Sequence, residues 1–584
     1  MCIAISIFSE RSMKDQILKS YVDDFAQSFA YCDLDSDIQF EHFVNYCVVS
    51  KQYPRDFDID SISAGGSDDI GIDGIAITVN GNIIQTEEEI EYLLQKNGYL
   101  DASFTVIQSK SSAKFKGDQV GTLIFGVKTF FDSTSSVPEN EYIQNLRRLK
   151  NCIYKHSISF DEPPELRIYF VTTGEWKEPK QITGRVDREL KDLKEKKLFR
   201  NIEFSFYDAD RLKSAYRELR RKTIKEIDFP NRIALPEISQ VRQSFVGSLS
   251  AKEFVKLITD SDGNLQRSLF EDNVRDFQGS NKVNADIEST LKNLPIQAAL
   301  AILNNGITII AKKLDPVGTK IKLTDFQVVN GCQSSHVIYE QRSRLEEGTH
   351  IVVKFVETTN QELAAKIIKA TNKQTIVTDE AFESLSPFHK DLEEFYNAHS
   401  KSVKDPIFYE RRSKQYDGVP SVPSSQVMTL TSQIKAYVAS ALAQPHSTHR
   451  YYGELLEANR TKMFRHGEAM EPYYLSCMAL NRLERAFKFG KIEKSLKPFK
   501  FQILYLVHCY HDLLRKNKVG FGFNEAVADF ALESRHLPVM NAAAGLIESC
   551  IKKSSVGKRD AVRSRDFTVE IKREFEAEVS RAGV

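Results

Sequence analysis

The pattern of apolar and polar positions divides the chain into three regions. Up to about residue 230, short apolar runs typical of strands alternate with segments in which apolar residues recur at helical spacing. Strands are predicted over residues 75–79, 104–108, 166–171 and 202–206, and helices over residues 40–49 and 185–197. This alternation indicates an α/β layer fold.

The second region, about residues 231 to 420, is again mixed. Strands are predicted over residues 307–311, 326–329 and 350–356, and a helix over residues 361–370. Ser250 and Glu253 have the spacing of a capping box, which predicts a helix that begins at Ala251.

Beyond a Pro- and Ser-rich boundary near residue 420, apolar residues recur at helical spacing, as in residues 427–442 and 501–514. The whole pattern predicts a multidomain α/β (α+β) protein. We expect an N-terminal α/β domain, a central mixed α/β domain and an all-helical C-terminal domain. The predicted domains are residues 1–230, 231–420 and 421–584.

Composition narrows the function classes. The 584 residues are too many for one core, and 80 Lys+Arg balance 80 Asp+Glu. Any nucleic-acid contact must therefore come from local basic patches and not from bulk charge. No apolar stretch reaches about 18 residues, so we expect no membrane-spanning helix. The eight cysteines are scattered without a CxxC pair, which is typical of reduced thiols in a cytoplasmic protein.

One segment is strongly acidic. Residues 56–91 contain ten acidic residues and no Lys or Arg. Asp73 lies in this segment, at the entrance to the first predicted strand. Gln108 and Lys110 lie two residues apart on the second predicted strand, so they point to the same face.

These residue types suit metal-assisted hydrolysis of a phosphodiester bond. A hard cation such as Mg²⁺ (or Mn²⁺) binds oxygen ligands, which Asp73, Gln108 and the upstream Glu41 would supply. Lys110 would orient the attacking water or stabilise the charge that develops on the phosphate. The alternative is a loop of solvated acids before an ordinary strand, since Asp-Gly pairs are common in turns.

The same residues resemble a known nuclease fold. Phe-Glu on a helix, then GGSDDIGIDG before a strand, then a Gln-x-Lys strand resemble the PD-(D/E)XK nucleases of the Mrr-like type over about residues 35–175. The catalytic set that the resemblance implies is Asp73, Gln108 and Lys110, with Glu41 in support and Asp69 as a further acid. The long interval between Asp73 and Gln108 implies an inserted loop that contains the acids of residues 87–91.

Two Asn-Gly turns stand beside apolar strands in the central region. Residues 303–310 read LNNGITII, and residues 329–336 read VNGCQSSH. Gln333 opens a predicted helix, whose first amides would bind an anion such as a phosphate. The alternative is a tight strand–turn–helix connection with small polar caps.

Together with NVRDFQG (273–279), ATNKQT (370–375) and YERR (409–412), these blocks resemble the abortive-infection phage-resistance (AIPR) family over about residues 235–420. The resemblance implies a role in bacterial defence against phage. We expect one polar site in this region, for DNA, a nucleotide or a protein partner. Its predicted members are Arg275, Asn305, Asn330, Gln333, Asn372 and Gln374.

Two basic runs are candidates for phosphate contact. One includes Arg220 and Arg221 on a predicted helix, and the other spans residues 552–565. Such runs are usually solvated faces, but beside a nuclease they would also contact nucleic acid. His508 and His511 lack a third ligand, so we interpret them as ordinary core or surface residues. The chain has no P-loop and no G-x-S-x-G motif, which argues against ATP hydrolysis and esterase activity.

The leading hypothesis is a Mg²⁺-dependent endonuclease that cuts double-stranded DNA in abortive infection. We expect a cytoplasmic protein without membrane association, restrained by a resting state or a regulatory protein partner. A homodimer is expected because cutting both strands often needs two active sites. One rival is a non-catalytic sensor with a degenerate nuclease fold, since Gln108 in place of a carboxylate weakens metal binding. The other is an RNase, because a phosphate-directed site carries no base code.

Overall fold

The computed structural model describes most of the chain. The described residues are 13, 15–53, 55–64, 68–132, 137–220, 223–260, 263–270, 282–371, 383, 386–401, 403–411, 415–416, 419, 421–517, 520–554 and 557–582. The chain forms two compact units, of which the first contains residues 1–87 and 93–372. The second contains residues 88–92 and 373–584.

Residues up to 220 of the first unit form an α/β layer around a five-stranded sheet. Its strands are β1 (Gly74–Val79), β2 (Asn82–Ile83), β3 (Ala102–Lys110), β4 (Glu165–Thr172) and β5 (Asn201–Tyr207). Its helices are α1 (Gln16–Ser28), α2 (Ser36–Gln52), α3 (Ile59–Ile62), α5 (Gly117–Phe131), α6 (Glu141–Lys155), α7 (Lys180–Glu195) and α8 (Ala209–Arg220). Helix α4 (Glu87–Asn97) is divided, because its residues 88–92 belong to the second unit.

The strand order of this sheet is β2-β1-β3-β4-β5. β1 runs antiparallel to both β2 and β3, whereas β3, β4 and β5 run parallel. Phe40 and Phe43 of α2 share a core with Ile107 of β3 and Leu212 of α8, so α2 and α8 cover one face. Phe131 at the end of α5 meets Phe104 of β3 edge-on, with ring centroids 5.0 Å apart.

The remainder of the first unit surrounds a six-stranded sheet of order β6-β10-β9-β11-β8-β7. Its strands are β6 (Ile224–Asp228), β7 (Asn231–Ala234), β8 (Gln243–Ser250), β9 (Ile307–Val317), β10 (Lys320–Asn330) and β11 (His350–Glu357). The pairing is antiparallel except between β9 and β11. Its helices are α9 (Ala251–Ile258), α10 (Lys282–Lys292), α11 (Leu294–Gln297), α12 (Leu300–Leu303), α13 (Cys332–Glu340) and α14 (Gln361–Thr371).

The second unit is largely helical. Its helices are α15 (Pro387–Ser400), α16 (Leu430–Ala439), α17 (Tyr452–Asn459), α18 (Glu471–Lys488), α19 (Lys500–Asn517), α20 (Phe523–Ala531), α21 (Glu533–Lys553), α22 (Lys558–Arg563) and α23 (Arg565–Ala582). Two short parallel strands, β12 (Phe408–Glu410) and β13 (Val427–Thr429), also belong to it. One large core of aliphatic and aromatic residues joins these helices.

The predicted mixed α/β class with a helical C-terminal part is confirmed, and so are all seven predicted strands. The domain boundaries near residues 230 and 420 stay predictions. Three local predictions were wrong.

Residues 87–91 begin helix α4 and are not a loop, because Ile90 and Leu93 supply a buried apolar side. Residues 427–429 pair as strand β13 before the helix begins.

The third correction concerns the capping box at α9. The helix begins at Ala251 as predicted, but Ser250 makes no side-chain capping bond. Glu253 instead accepts a hydrogen bond from the backbone N–H of Asp228 on β6, at 3.0 Å. Glu253 therefore connects α9 to the edge of the sheet.

One buried glutamine joins three segments of the central region. Gln297 donates hydrogen bonds from Nε2 to the carbonyls of Leu291 (2.7 Å) and Arg344 (3.1 Å). Its Oε1 accepts from the N–H of Glu346 (2.8 Å) and from the hydroxyl of Thr349. All four hydrogen-bonding positions of the amide are thus used, which holds the end of α10 against residues 344–349.

We predict that Gln297→Met lowers the free energy of unfolding by about 3 kcal/mol, because an isosteric apolar side chain leaves buried partners unpaired. Urea unfolding of the full chain measures the change. Gln341→Met is the matched control, since the Gln341 side chain donates to the partly exposed Glu288 instead of joining buried segments. An equal effect of both substitutions would contradict the assigned role of Gln297.

Candidate metal centre

The pairing of β1 with β3 brings Asp73 beside the Gln-x-Lys segment. Gly74 pairs with Ile107, so Asp73 lies opposite Gln108 on the neighbouring antiparallel strand. The backbone N–H of Asp73 donates to the carbonyl of Ile107 at 2.9 Å, which extends the ladder by one residue. The predicted proximity of Asp73, Gln108 and Lys110 thus follows from strand register.

The Asp73 carboxylate is buried and firmly held. Its Oδ2 accepts hydrogen bonds from the backbone N–H of Ser109 at 2.7 Å and from the Ser109 hydroxyl at 3.3 Å. The Lys110 Nζ lies 3.4 Å from the same oxygen. Burial raises the pKa of Asp73, and Lys110 and the Ser109 N–H oppose the shift. The carboxylate is therefore a desolvated anion whose charge is compensated from one side.

Gln108 supplies an unsatisfied oxygen. Its side chain is 3% exposed, and its Oε1 is buried without a hydrogen-bond partner among the described residues. Burying an amide oxygen without a partner costs free energy, and such groups in folded proteins call for a specific explanation. A cation next to Asp73 would satisfy this oxygen, since hard cations take carboxylate and amide oxygens together.

Glu41 lies on α2 and is half-buried. Its pKa is raised to about 7, first by burial and second by the negative charge of Asp73, while Lys110 opposes the shift. Glu41 is therefore within electrostatic reach of Asp73 and Lys110. Its role as a supporting ligand stays a prediction.

Asp69 has a more local role. Its Oδ1 accepts a hydrogen bond from the backbone N–H of Gly71 at 2.8 Å, which closes a turn before β1. Its charge nevertheless contributes to raising the pKa of both Glu41 and Asp73. Asp69 thus shapes the loop and adds to the negative potential of the site.

The loop before Asp73 has an unusual backbone. Asp68, Ile70 and Gly71 have φ values of 60°, 52° and 76°, in the left-handed region. That region is strongly unfavourable for a β-branched residue such as Ile70. Gly126 of α5 permits the loop to approach, because a Cβ there would lie 2.0 Å from the Ile70 carbonyl oxygen. Strain of this kind is common where a loop must hold functional groups in place.

Asn45 is a site residue that sequence reasoning missed. It is fully buried on α2, and its Nδ2 donates to the backbone carbonyl of Asp73 (3.2 Å) and to the hydroxyl of Ser63 (3.0 Å). A Cβ on Gly74 would lie 2.5–2.8 Å from the Asn45 amide group, so glycine is needed there. The available signal was a polar residue inside the apolar run of residues 43–49.

The central motifs meet at one end of the six-stranded sheet. Asn330 on β10 pairs with Thr308 on β9, and its Nδ2 donates to the Thr371 carbonyl at 2.6 Å. Asn305 is exposed beside this position, and Gln333 lies in the first turn of α13. The predicted residues Arg275, Asn372 and Gln374 lie outside the described residues.

Several residues of the two Asn-Gly segments stabilise the local backbone conformation. Asn304 accepts from the Gly306 N–H at 2.9 Å and donates to the Ser334 hydroxyl at 2.7 Å. Gly331 has a φ of 93°, and a Cβ there would lie 2.8 Å from Ile307. These contacts explain both Asn-Gly pairs as tight connections, which was the structural alternative. The ligand site predicted for Asn305, Asn330 and Gln333 stays a prediction.

The first basic run is partly paired. Arg220 ends α8 and forms an ion pair with Asp24 at 3.0 Å. Arg221 lies outside the described residues. His508 lies 3.5 Å from the Asp512 carboxylate, one helical turn later.

Comparison with known protein families finds a match to one region of the chain. Residues 270–546 match the AIPR protein family. This match supports the AIPR assignment made from the central motifs and extends it into the helical part. No curated protein and no solved structure matches the chain. Within the described ranges, no helix combines the length and apolarity needed to cross a membrane.

The raised pKa of Glu41 has a consequence for stability. A free glutamate loses its proton near 4.5, whereas Glu41 in the fold keeps it to about pH 7. The folded state therefore binds more protons between these values, and stability falls as pH rises through this window. With a discount for partial exposure, we predict that Glu41→Gln stabilises the fold by about 1–2 kcal/mol at pH 8 and by much less at pH 5.

Thermal unfolding in EDTA at the two pH values measures this difference. Asp23→Asn is the matched control, because Asp23 is an exposed acid on the neighbouring helix α1. A gain for Glu41→Gln that is equal at both pH values would contradict the assigned environment of Glu41.

Proposed function

We propose that this chain is a metal-dependent nuclease that acts in defence against phage. One observation carries the proposal: the buried Asp73 carboxylate lies opposite Gln108, whose Oε1 is buried and unsatisfied within the described ranges, and 3.4 Å from Lys110 Nζ. The AIPR match supports the defence role, because the family is associated with abortive infection.

The residues fit a hard divalent cation. Asp73, Gln108 and Glu41 would hold Mg²⁺ or Mn²⁺, since all three offer oxygen ligands: Asp73 lies opposite Gln108, and the charge of Asp73 acts on Glu41. Metal binding requires deprotonated carboxylates, so it would compete with the proton that Glu41 otherwise retains. The bound ion would supply charge neutralisation at the phosphate and acidify a coordinated water.

The protein groups around the site have distinct roles in this reaction. The Ser109 N–H fixes the orientation of the Asp73 carboxylate. Lys110, about one-third exposed, would place its ammonium against a phosphate oxygen and stabilise the additional charge of the transition state. Glu41 would serve in its deprotonated form as an oxygen ligand, so binding of the ion would release the proton that it otherwise keeps to about pH 7.

The surroundings of the site support a nucleic-acid substrate. The parallel strands β3 and β4 end at the same edge of the sheet, near Asp73. The loops that follow them carry Lys114, Lys116 and Lys177, which are exposed. Cations at this edge would contact the phosphates on either side of the cleaved bond. We propose double-stranded DNA as substrate and a homodimer or a regulatory protein partner as the means of controlling cleavage.

A second reading is a sensor that binds nucleic acid without cutting it. The neutral amide of Gln108 favours it, because a carboxylate at that position would bind the ion more strongly. The two readings differ in the effect of removing the metal: cleavage requires the ion, whereas phosphate contact through lysines does not.

We predict that the purified chain cuts plasmid DNA in Mg²⁺ or Mn²⁺ and not in EDTA. Asp73→Asn and Lys110→Gln should each lower the cleavage rate by about 100-fold or more, since each removes a group that acts on the transition-state charge. Parallel reactions with single-stranded DNA and RNA establish the substrate.

Asp210→Asn is the matched control, because Asp210 is a highly exposed acid on α8. It should cut like the wild type. DNA binding without metal-dependent cleavage, in the wild type and in both site variants alike, would favour the sensor and refute the nuclease.

A further inference from the structure

The second unit contains a group of cations around two histidines. Burial and the charges of Arg563, Arg450 and Lys435 lower the pKa of His449 to about 4. Burial and the charges of Arg565 and Arg450 lower the pKa of His446. The four cations therefore share one positive region, which we call the basic cluster: Lys435, Arg450, Arg563 and Arg565.

An acidic segment of the same unit occupies this cluster. Residues 88–92, the part of α4 that belongs to the second unit, place the Glu88 Oε1 2.6 Å from Arg563. The Glu89 carboxylate lies 3.5 Å from Lys435 and is largely buried. Arg450 pairs with Glu454 of the next helical turn at 3.0 Å, and Arg565 is exposed.

An aromatic contact accompanies the ion pairs. Tyr92 stacks on Tyr451, with ring centroids 5.3 Å apart and an interplanar angle of 25°. Tyr451 immediately follows Arg450 of the basic cluster. The segment thus places two carboxylates and the Tyr92 ring against the basic cluster and the Tyr451 ring.

The fit of the acidic segment is incomplete. The second carboxylate oxygen of Glu88 is buried and has no hydrogen-bond partner among the described residues. A buried carboxylate oxygen without a partner is costly, so this arrangement is less favourable than a fully satisfied ion pair. A phosphodiester would instead offer oxygens to several cations at once.

We propose that the basic cluster is a binding site for a single nucleic-acid strand, and that Glu88, Glu89 and Tyr92 occupy it in place of a nucleotide. Phosphates would bind Lys435 and Arg563, and a base would stack on Tyr451. Cations beside an aromatic ring are the usual chemistry of single-strand binding. The proposal is independent of the metal centre, which lies on other residues.

The test is binding of a fluorescein-labelled oligothymidine to the full chain in EDTA, followed by fluorescence anisotropy. EDTA removes metal ions, so no metal-dependent cleavage occurs during the measurement. The binding result can therefore be interpreted even if the nuclease proposal fails. Glu88→Gln/Glu89→Gln removes the competing anions and should tighten binding by about fivefold. Lys435→Gln/Arg563→Gln should weaken binding and make the slope of log K against log salt shallower by about 1.4.

Matched controls separate the cluster from general surface charge. Lys552→Gln/Lys553→Gln removes two exposed lysines of the same unit and should bind like the wild type. Arg563→Lys keeps the positive charge and should retain most of the binding if the double glutamine variant unfolds. Thermal unfolding of each variant verifies the fold.

Three results would overturn the proposal. The first is unchanged affinity of a folded Glu88→Gln/Glu89→Gln variant. The second is an equal loss of binding in the Lys552→Gln/Lys553→Gln control. The third is capture of a labelled peptide of residues 86–97 by the folded Glu88→Gln/Glu89→Gln variant without any binding of the oligonucleotide, which would make the cluster a site for its own segment alone.

Discussion

The register between β1 and β3 is the constraint on which the candidate site depends. A shift of one residue would turn Gln108 and Lys110 to the opposite face and separate them from Asp73. Two hydrogen bonds extend this register to Asp73: the Asp73 N–H to the Ile107 carbonyl, and the Ser109 N–H to the Asp73 carboxylate. The Asn45 amide holds the Asp73 carbonyl from α2. The same contacts pair the strands and orient the Asp73 carboxylate. A change that disturbs the strand pairing would therefore also disturb the candidate site.

The site also shows how desolvation and charge are balanced. Asp73 and Glu41 are both buried enough to raise their pKa values, and Lys110 opposes the shift at each. Once Glu41 loses its proton, the two carboxylates and Lys110 together carry net negative charge in a poorly solvated place. The Gln108 Oε1, which has no hydrogen-bond partner in the part of the chain that the structure describes, adds a further acceptor. An arrangement of this kind gains stability from a cation, which is the physical reason for preferring a metal centre to a purely structural cluster.

Local patterns predicted the parts of the molecule that depend on local physics. Strand residues with period-two or continuous apolar character were found, as was the position of Asp73 and the shared face of Gln108 and Lys110. The rest depends on long-range contacts. Asn45 contacts Asp73 across 28 residues of sequence, and the acidic run at 87–91 lies in a helix whose Ile90 and Leu93 are buried. Such contacts leave little trace in a single sequence.

The most direct test of the central claim is the position of a bound ion. A crystal of the full chain soaked in Mn²⁺ should show an anomalous scattering peak beside the Asp73 carboxylate and the Gln108 Oε1, with Lys110 adjacent. The same soak of an Asp73→Asn crystal should show no peak there. A wild-type crystal without a peak at saturating Mn²⁺, or with an equal peak in the variant, would contradict the metal centre.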